Sequence, residues 1–245
     1  MKEYTGKIYN IEKLTHDTTK VVIESALDSA HSGQFISVLC ENRTLRRPFS
    51  ISDFEKIENN KSLLTILVKI KGKGTEFLSN LKIKDEISIL APLGNGFNIK
   101  NEASLLVGAG IGIAPMLFLK KELNKQNIDN YLIAGYRDDK EIIKGYDEVT
   151  IGGSVVDRLE DLIKEKNIKI VYACGPEIVL KLIGKLCKKL NIQSQLAMEK
   201  VMACGIGVCR GCVIKIKKNE TISTASICKD GPVFSGDEII WEENE

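Results

Sequence analysis

Four cysteines towards the C-terminal end of this 245-residue chain, Cys204, Cys209, Cys212 and Cys228, have the spacing Cys-x4-Cys-x2-Cys and then, after fifteen more residues, Cys. Three closely spaced thiolates can wrap a small iron–sulfur cluster if the backbone turns tightly, and a fourth can arrive from a distant loop, as in plant-type 2Fe-2S sites. Gly205, Gly207 and Gly211 permit such turns. They also bring backbone N–H groups near sulfur, where these offset the negative charge of a tetrathiolate cluster. Structural zinc is the alternative, although it normally uses two short ligand pairs and only Cys209 and Cys212 form a Cys-x2-Cys. Disulfides fit less well, given an odd count of seven cysteines and an N-terminus, Met1-Lys-Glu-Tyr-Thr5, that does not read as a signal peptide. A Rieske centre needs two histidine ligands, and His16 and His31 stand far from the cysteines in polar segments.

Two glycine turns point to a nucleotide. Leu105-Leu-Val-Gly108-Ala-Gly110-Ile-Gly112-Ile-Ala-Pro115 reads as an apolar strand passing through a turn into a helix, which lets phosphate approach backbone N–H groups. The third glycine comes one residue earlier than in Gly-x-Gly-x-x-Gly, and a plain strand–helix turn is the competing reading. Tyr172-Ala-Cys174-Gly175-Pro176-Glu177 ends a later strand and opens another helix, which places Cys174 and Gly175 on the same rim; a capped core helix explains Pro176 and Glu177 equally well. A nicotinamide site and an iron–sulfur cluster in one chain pose a mismatch, because nicotinamide exchanges a two-electron hydride and the cluster single electrons. A flavin does both. Arg46-Arg47-Pro48-Phe49-Ser50-Ile51-Ser52 offers a guanidinium for a diphosphate and a hydroxyl for the ring, against the bland reading of a charged strand start.

The elements that must position these groups fall into three units, 1–100, 101–195 and 196–245. Short strands with turn signals at 4–9, 19–24, 34–40, 49–51, 63–70 and 86–90 predict an antiparallel β-barrel. From Ala103 apolar strands at 105–107, 131–133 and 168–172 alternate with helical stretches such as 155–166, which predicts a parallel α/β nucleotide-binding domain. In the helix over 177–190, Val179, Leu182, Ile183, Leu186, Cys187 and Leu190 are expected on the buried face, and Cys40 and Cys187 are expected to be core thiols. The last unit is too small to build much core and is expected to lean on its 2Fe-2S cluster. The fold class is thus multidomain α/β and β. A formal charge of +2 from 35 basic and 33 acidic residues, evenly spread, leaves no footprint for nucleic acid or an anionic membrane. The uncharged stretch 103–119 holds three glycines and a proline and is too short for a comfortable membrane span, so a cytoplasmic protein is expected.

Taken together, the chain resembles the ferredoxin-reductase-like flavoproteins, and within them the electron-transfer subunits of NAD-dependent, B-type dihydroorotate dehydrogenases. Arg47-Pro48-Phe49-Ser50 looks like that family's FAD motif, Leu67-Val68-Lys69 like the strand beside the flavin, and Gly74-Thr75 like the diphosphate turn. Pro92-Leu-Gly94-Asn-Gly96-Phe97 closes the barrel as in these subunits. The most specific strings are Glu199-Lys-Val-Met-Ala-Cys204-Gly-Ile-Gly-Val-Cys209-Arg-Gly-Cys212 and Cys228-Lys-Asp-Gly-Pro-Val-Phe234. The resemblance implies FAD, NAD and a 2Fe-2S cluster as cofactors. It also implies a separate FMN-containing subunit that oxidises dihydroorotate, two copies of each subunit, and no dihydroorotate site on this chain. One departure is the segment Val149-Thr-Ile-Gly-Gly-Ser154, shorter than the loop many relatives carry after the third strand. Asp138 and Asp139 are placed either to meet an adenosine ribose or simply to open a solvated helix. An NAD(P)H:ferredoxin-type reductase, the flavin subunit of a soluble hydrogenase, and a zinc-binding interaction protein are the rival readings.

Overall fold

The computed structural model describes residues 1–41 and 44–241, so that residues 242–245 of the third unit lie outside the described residues. Six strands form the first layer; some alternate buried and more open residues with period two, and others are buried along almost their whole length. β1 (Lys2–Lys13), β2 (Thr18–Ser25), β3 (Phe35–Val38), β4 (Arg47–Lys56), β5 (Ser62–Lys69) and β6 (Glu86–Leu93) close into a barrel in the order β1-β2-β5-β4-β3-β6, antiparallel throughout. In β6, Ile87, Ile89 and Ala91 turn inward, and Ile8, Ile23, Ile36, Ile51, Leu64, Ile66 and Val68 are also in the barrel core. Each such large apolar side chain contributes about 1.5–3 kcal/mol when removed from water. Helix α1 (Lys73–Ser79) covers this core with Leu78.

The second layer is a sheet of β7 (Ser104–Ala109), β8 (Asn130–Tyr136), β9 (Glu148–Ile151), β10 (Ile170–Cys174) and β11 (Gln193–Ala197), all parallel, flanked by α2 (Ile113–Lys125), α3 (Leu159–Glu165) and α4 (Glu177–Leu190). All six residues of β7 are buried, as expected for a parallel strand with both faces covered. The last segment forms the hairpin β12 (Val213–Lys218) and β13 (Thr221–Ser226), then β14 (Val233–Ser235), which adds antiparallel to the edge and gives the order β14-β11-β10-β7-β8-β9. The chain reverses direction across the sheet between β7 and β10. Their ends are in register, Gly108 opposite Cys174, so both glycine turns open at one crevice.

Two features depart from the sequence reading, and a third extends it. Val149, Thr150 and Ile151, the first half of the segment compared with a loop, belong to the strand Glu148–Ile151, which pairs with β8 at the sheet edge; residues 152–154 remain as the turn. On α4, Leu182 points outward and Leu180 is buried, the helix presenting Leu180, Ile183, Gly184 and Cys187 to the sheet. The cysteine-bearing segment does not stand on a small core of its own. Ile214, Ile216, Ala225, Ile227 and Phe234 join one hydrophobic cluster with Val171, Leu180 and Leu196 of the α/β layer and Phe35 of the barrel. The layers are further joined where Phe118 of α2 enters the barrel core and Lys121 pairs with Asp53 of β4 at 2.6 Å.

Candidate functional site: two joined clefts and a cysteine loop

The barrel's contribution begins at β4. Arg46 and Arg47 are adjacent but have different surroundings. Arg46 is tied into the barrel, donating to the Ser88 carbonyl (3.1 Å) and to Glu3 Oε1 (2.6 Å). The Arg47 side chain instead lies over Gly74; a Cβ there would stand 3.0 Å from Arg47 Nε. Thr75 shapes the adjoining turn, its Oγ1 accepting from the N–H groups of Lys71 (2.9 Å) and Gly72 (3.1 Å) while donating to the Gly72 carbonyl (2.8 Å). Beside this turn is a cleft of about 230 Å³, walled on the barrel side by Pro48, Phe49, Ser50, Leu67, Lys69 and Thr75. Alternation along β5 turns Val68 away into the barrel core, so only Leu67 and Lys69 of that string face the cleft. The opposite wall is Ile111 and Ala114 of the α/β layer, with Met198, Met202 and Pro232 from the cysteine-bearing segment.

A second cleft, about 620 Å³, lies at the strand-reversal crevice, lined by Gly110, Gly112, Gly175 and Pro176, with Tyr136, Arg137, Glu141 and Ser154 around them. Gly112 must lack a side chain, because a Cβ would run into the Cys174 carbonyl. Gly108 and Cys174 lie beneath this surface. A Cβ at Gly108 would meet the Ile113 backbone at 2.7 Å, and burial, reinforced by the Glu199 carboxyl, pushes the Cys174 thiol well above its ordinary range. Asp138 accepts from the Lys140 N–H at 2.8 Å and caps a short turn; neither it nor Asp139 lines the cleft.

Lys69, Lys71, Ile111 and Glu199 line both clefts, which makes them one continuous space. Lys69 is held there by Glu141 (3.0 Å) and Asp17 (3.3 Å), bridging barrel and α/β layer. Glu199 is open to the clefts and enclosed by protein elsewhere; burial pushes its carboxyl up, partly offset by Lys71. Sequence reasoning quoted Glu199 only within a longer string, and Lys71, Arg137 and Glu141 not at all. Their signal was position, since Arg137 and Glu199 each follow closely on the C-terminal end of a parallel strand.

The four cysteines lie beyond this wall. Cys212 and Cys228 are buried with their sulfurs 3.3 Å apart, whereas Cys209 is exposed. Backbone N–H groups reach the sulfurs: Gly207 to Cys228 (3.0 Å), Cys209 (3.4 Å) and Ile206 (3.5 Å) to Cys204, and Gly211 to Cys209 (3.4 Å). Gly207 turns its N–H inward with φ +85°, a conformation side chains disfavour. These bonds, that from Cys209 foremost, bring the Cys204 thiol down to about 6, while burial and the neighbouring Cys212 thiol push Cys228 up to about 12. Among the described residues no three His, Cys, Asp or Glu side chains converge to hold a single metal ion.

Residues 199–240 match the family described as the iron–sulfur cluster binding domain of dihydroorotate dehydrogenase B. The electron-transfer subunit of dihydroorotate dehydrogenase B (NAD(+)) from Clostridium acetobutylicum is 37% identical over 99% of this chain and 100% of its own length. That from Caldanaerobacter subterraneus subsp. tengcongensis is 34% identical over 96% and 98%. This chain belongs to the electron-transfer subunits of dihydroorotate dehydrogenase B. Among solved structures, the NADH-dependent reduced ferredoxin-NADP oxidoreductase superposes with a TM-score of 0.82 at 28% identity, over 96% of this chain and 90% of the other. The ferredoxin reductase of carbazole 1,9a-dioxygenase, at 15% identity and TM-score 0.66 over 78% and 66%, shares the fold.

The thiols suit the cluster domain of such a subunit, since backbone N–H groups at sulfur are what a cluster-binding loop must supply. Anaerobically prepared protein is expected to hold two irons and two acid-labile sulfides per chain. Serine at Cys204, Cys209, Cys212 or Cys228 should lose or destabilise the cluster, and serine at Cys40 or Cys187 should leave its visible spectrum intact. Stoichiometric zinc without sulfide would refute the assignment.

Proposed function

We propose that this chain passes electrons from an FMN-containing partner subunit, which oxidises dihydroorotate to orotate, through a 2Fe-2S cluster and FAD to NAD+ in pyrimidine synthesis. One observation carries the reading. The segment that bears the cysteines also walls the barrel cleft with Met198, Met202 and Pro232, and that cleft opens into the glycine-lined one. The cluster and FAD supply the conversion between single electrons and hydride. The residues supply placement. Cys204, Cys209, Cys212 and Cys228 would hold the cluster. Arg47, with Gly74 and Thr75, would hold the FAD diphosphate, and Pro48, Phe49, Ser50, Leu67 and Lys69 would shape the ring site, with Val68 setting the strand from inside the barrel. Gly110, Gly112 and Gly175 would leave room for the nucleotide, with Gly108 and Cys174 packing the turn from below.

Units 1–100, 101–195 and 196–245 would then serve flavin, nicotinamide and cluster in turn. The exposed ligand Cys209 sits beside Val208, 75% exposed, with Val201 of the same segment 91% exposed. This apolar rim is where the partner subunit would dock, in an assembly with two copies of each, in the cytoplasm. No helix among the described residues is long and apolar enough to cross a membrane.

The isolated chain should oxidise NADH with an artificial acceptor and leave dihydroorotate untouched; mixing with the FMN subunit should produce dihydroorotate-dependent NAD+ reduction. Dihydroorotate oxidation by the chain alone would sink the proposal. The 28% identity to the ferredoxin-NADP oxidoreductase over nearly the whole chain favours, as a second reading, exchange with a ferredoxin-type carrier. Cluster reduction by reduced ferredoxin, with no response to the FMN subunit, would select it.

A further inference from the structure

Asn95 follows β6 where the barrel meets the loop that carries Cys228. Its backbone N–H donates to the Gly231 carbonyl (2.6 Å), and its side-chain amide donates to the carbonyls of Lys229 (3.2 Å) and Asp230 (3.0 Å). Three consecutive carbonyls are thus held by one barrel residue. Its ends are also held from within the cysteine-bearing segment, where Gly207 N–H reaches Cys228 Sγ (3.0 Å) and Met198 N–H reaches the Pro232 carbonyl (2.9 Å), and the turn between them is closed locally. The N–H groups of Lys229 and Asp230 donate to the Ser226 carbonyl (3.1 and 2.7 Å), and the Asp230 carboxylate accepts from the Ser226 N–H (2.7 Å). Such a turn keeps its internal shape, but its position against the barrel must be fixed from outside. Asn95 does this between two sensitive points. Cys228 immediately precedes Lys229, and Pro232, which immediately follows Gly231, is part of the barrel cleft wall. On the barrel side Gln34 Nε2 donates to the Gly94 carbonyl (3.0 Å), steadying the residue before Asn95.

We propose that Asn95 is a positioning residue for electron transfer between cluster and flavin, fixing the Cys228 loop against the barrel and so setting the gap the electron crosses. The proposal rests on the electron-transfer reading above. Asn95 touches neither cleft, so its influence passes through the loop alone. Electron transfer slows steeply with distance, whereas hydride transfer in the cleft depends on other residues.

The test compares Asn95→Asp, Asn95→Gln and the unaltered holoprotein. Aspartate has the same shape but no N–H, and it sets a carboxylate against two carbonyl oxygens; glutamine keeps the amide. Asn95 is exposed, so the fold should survive either change. Under anaerobic conditions each NADH gives up a hydride to the flavin and becomes NAD+; one of the two electrons then passes to the single cluster of the chain, and the other stays on the flavin with the proton. Flavin bleaching reports the first event, and the electron paramagnetic resonance of the reduced cluster reports the second. Asn95→Asp is expected to bleach at the unaltered rate and to reduce its cluster several-fold more slowly. It should lose iron to a chelator roughly tenfold faster, the scale of one or two unmade hydrogen bonds. Asn95→Gln should recover part of both losses. Normal cluster reduction and iron retention in Asn95→Asp, or equal slowing of bleaching and cluster reduction, would overturn the role. If NADH leaves the cluster of the unaltered protein oxidised, the electron-transfer reading itself fails, and this role fails with it.

Discussion

Replacing Cys209 by serine should abolish coupled transfer from dihydroorotate to NAD+ while sparing most of the NADH-to-dye reaction. Disturbing outer partners of a metal ligand costs about 10–100-fold in affinity or activity, so losing a ligand should lower the coupled rate by more than about 100-fold. The fold gives reason to expect a clean result. Cys209 is exposed, with its N–H bonded to Cys204 and its sulfur accepting from Gly211, so the substitution removes a thiolate without opening a core cavity. The dye reaction draws on the two clefts, and Cys209 lines neither. Cys187→Ser is the useful contrast. Cys187 is buried on the sheet-facing side of α4, and burial pushes its thiol up to about 12, so serine there should cost stability and leave the cluster in place. If Cys209→Ser with full FAD content loses both activities equally, the cluster lies elsewhere in the electron path.

The barrel was legible because short strand-forming runs bounded by turn signals recur along it, with clear period-two alternation in β6, and the α/β layer because β7 and β10 are almost wholly apolar runs ending in glycine turns. The four cysteines were legible from spacing alone. What the sequence concealed was mostly relative placement. Arg46 and Arg47 are adjacent and chemically equivalent, and only the fold shows one bound to Glu3 and Ser88 and the other lying over Gly74. Within Leu67-Val68-Lys69 alternation should have singled out Val68 as the inward residue, but a motif read as a block hid it. Glu199 and Lys71 gain their meaning where two clefts meet, which no local pattern encodes. The short strand β9 was missed because Glu148-Val-Thr-Ile has partners only on one side and little burial to mark it. The role of Asn95 depends on carbonyls more than 130 residues away in the chain.

Arg47→Ala should weaken FAD retention by about 1.5–3 kcal/mol, the worth of hydrogen bonds to a charged group, which is roughly 10–150-fold in dissociation constant. A second substitution separates a direct contact from a general loosening of the barrel. A Cβ at Gly74 would stand 3.0 Å from Arg47 Nε and 3.3 Å from its Cγ, so Gly74→Ala alone should displace the guanidinium and weaken FAD in the same direction by a smaller factor. Those two atoms are absent from Arg47→Ala. In that background Gly74→Ala should therefore cost little more, and the double variant should fall well short of the sum of the two single effects. Arg46→Ala supplies the contrast, since Arg46 is spent on Glu3 and Ser88; it should lower thermal stability more than it lowers flavin occupancy. Equilibrium dialysis of released flavin, with chromatography to establish that it is FAD, measures each variant. Release of FMN, full occupancy in Arg47→Ala, or strict additivity with Gly74→Ala would remove Arg47 from the diphosphate site.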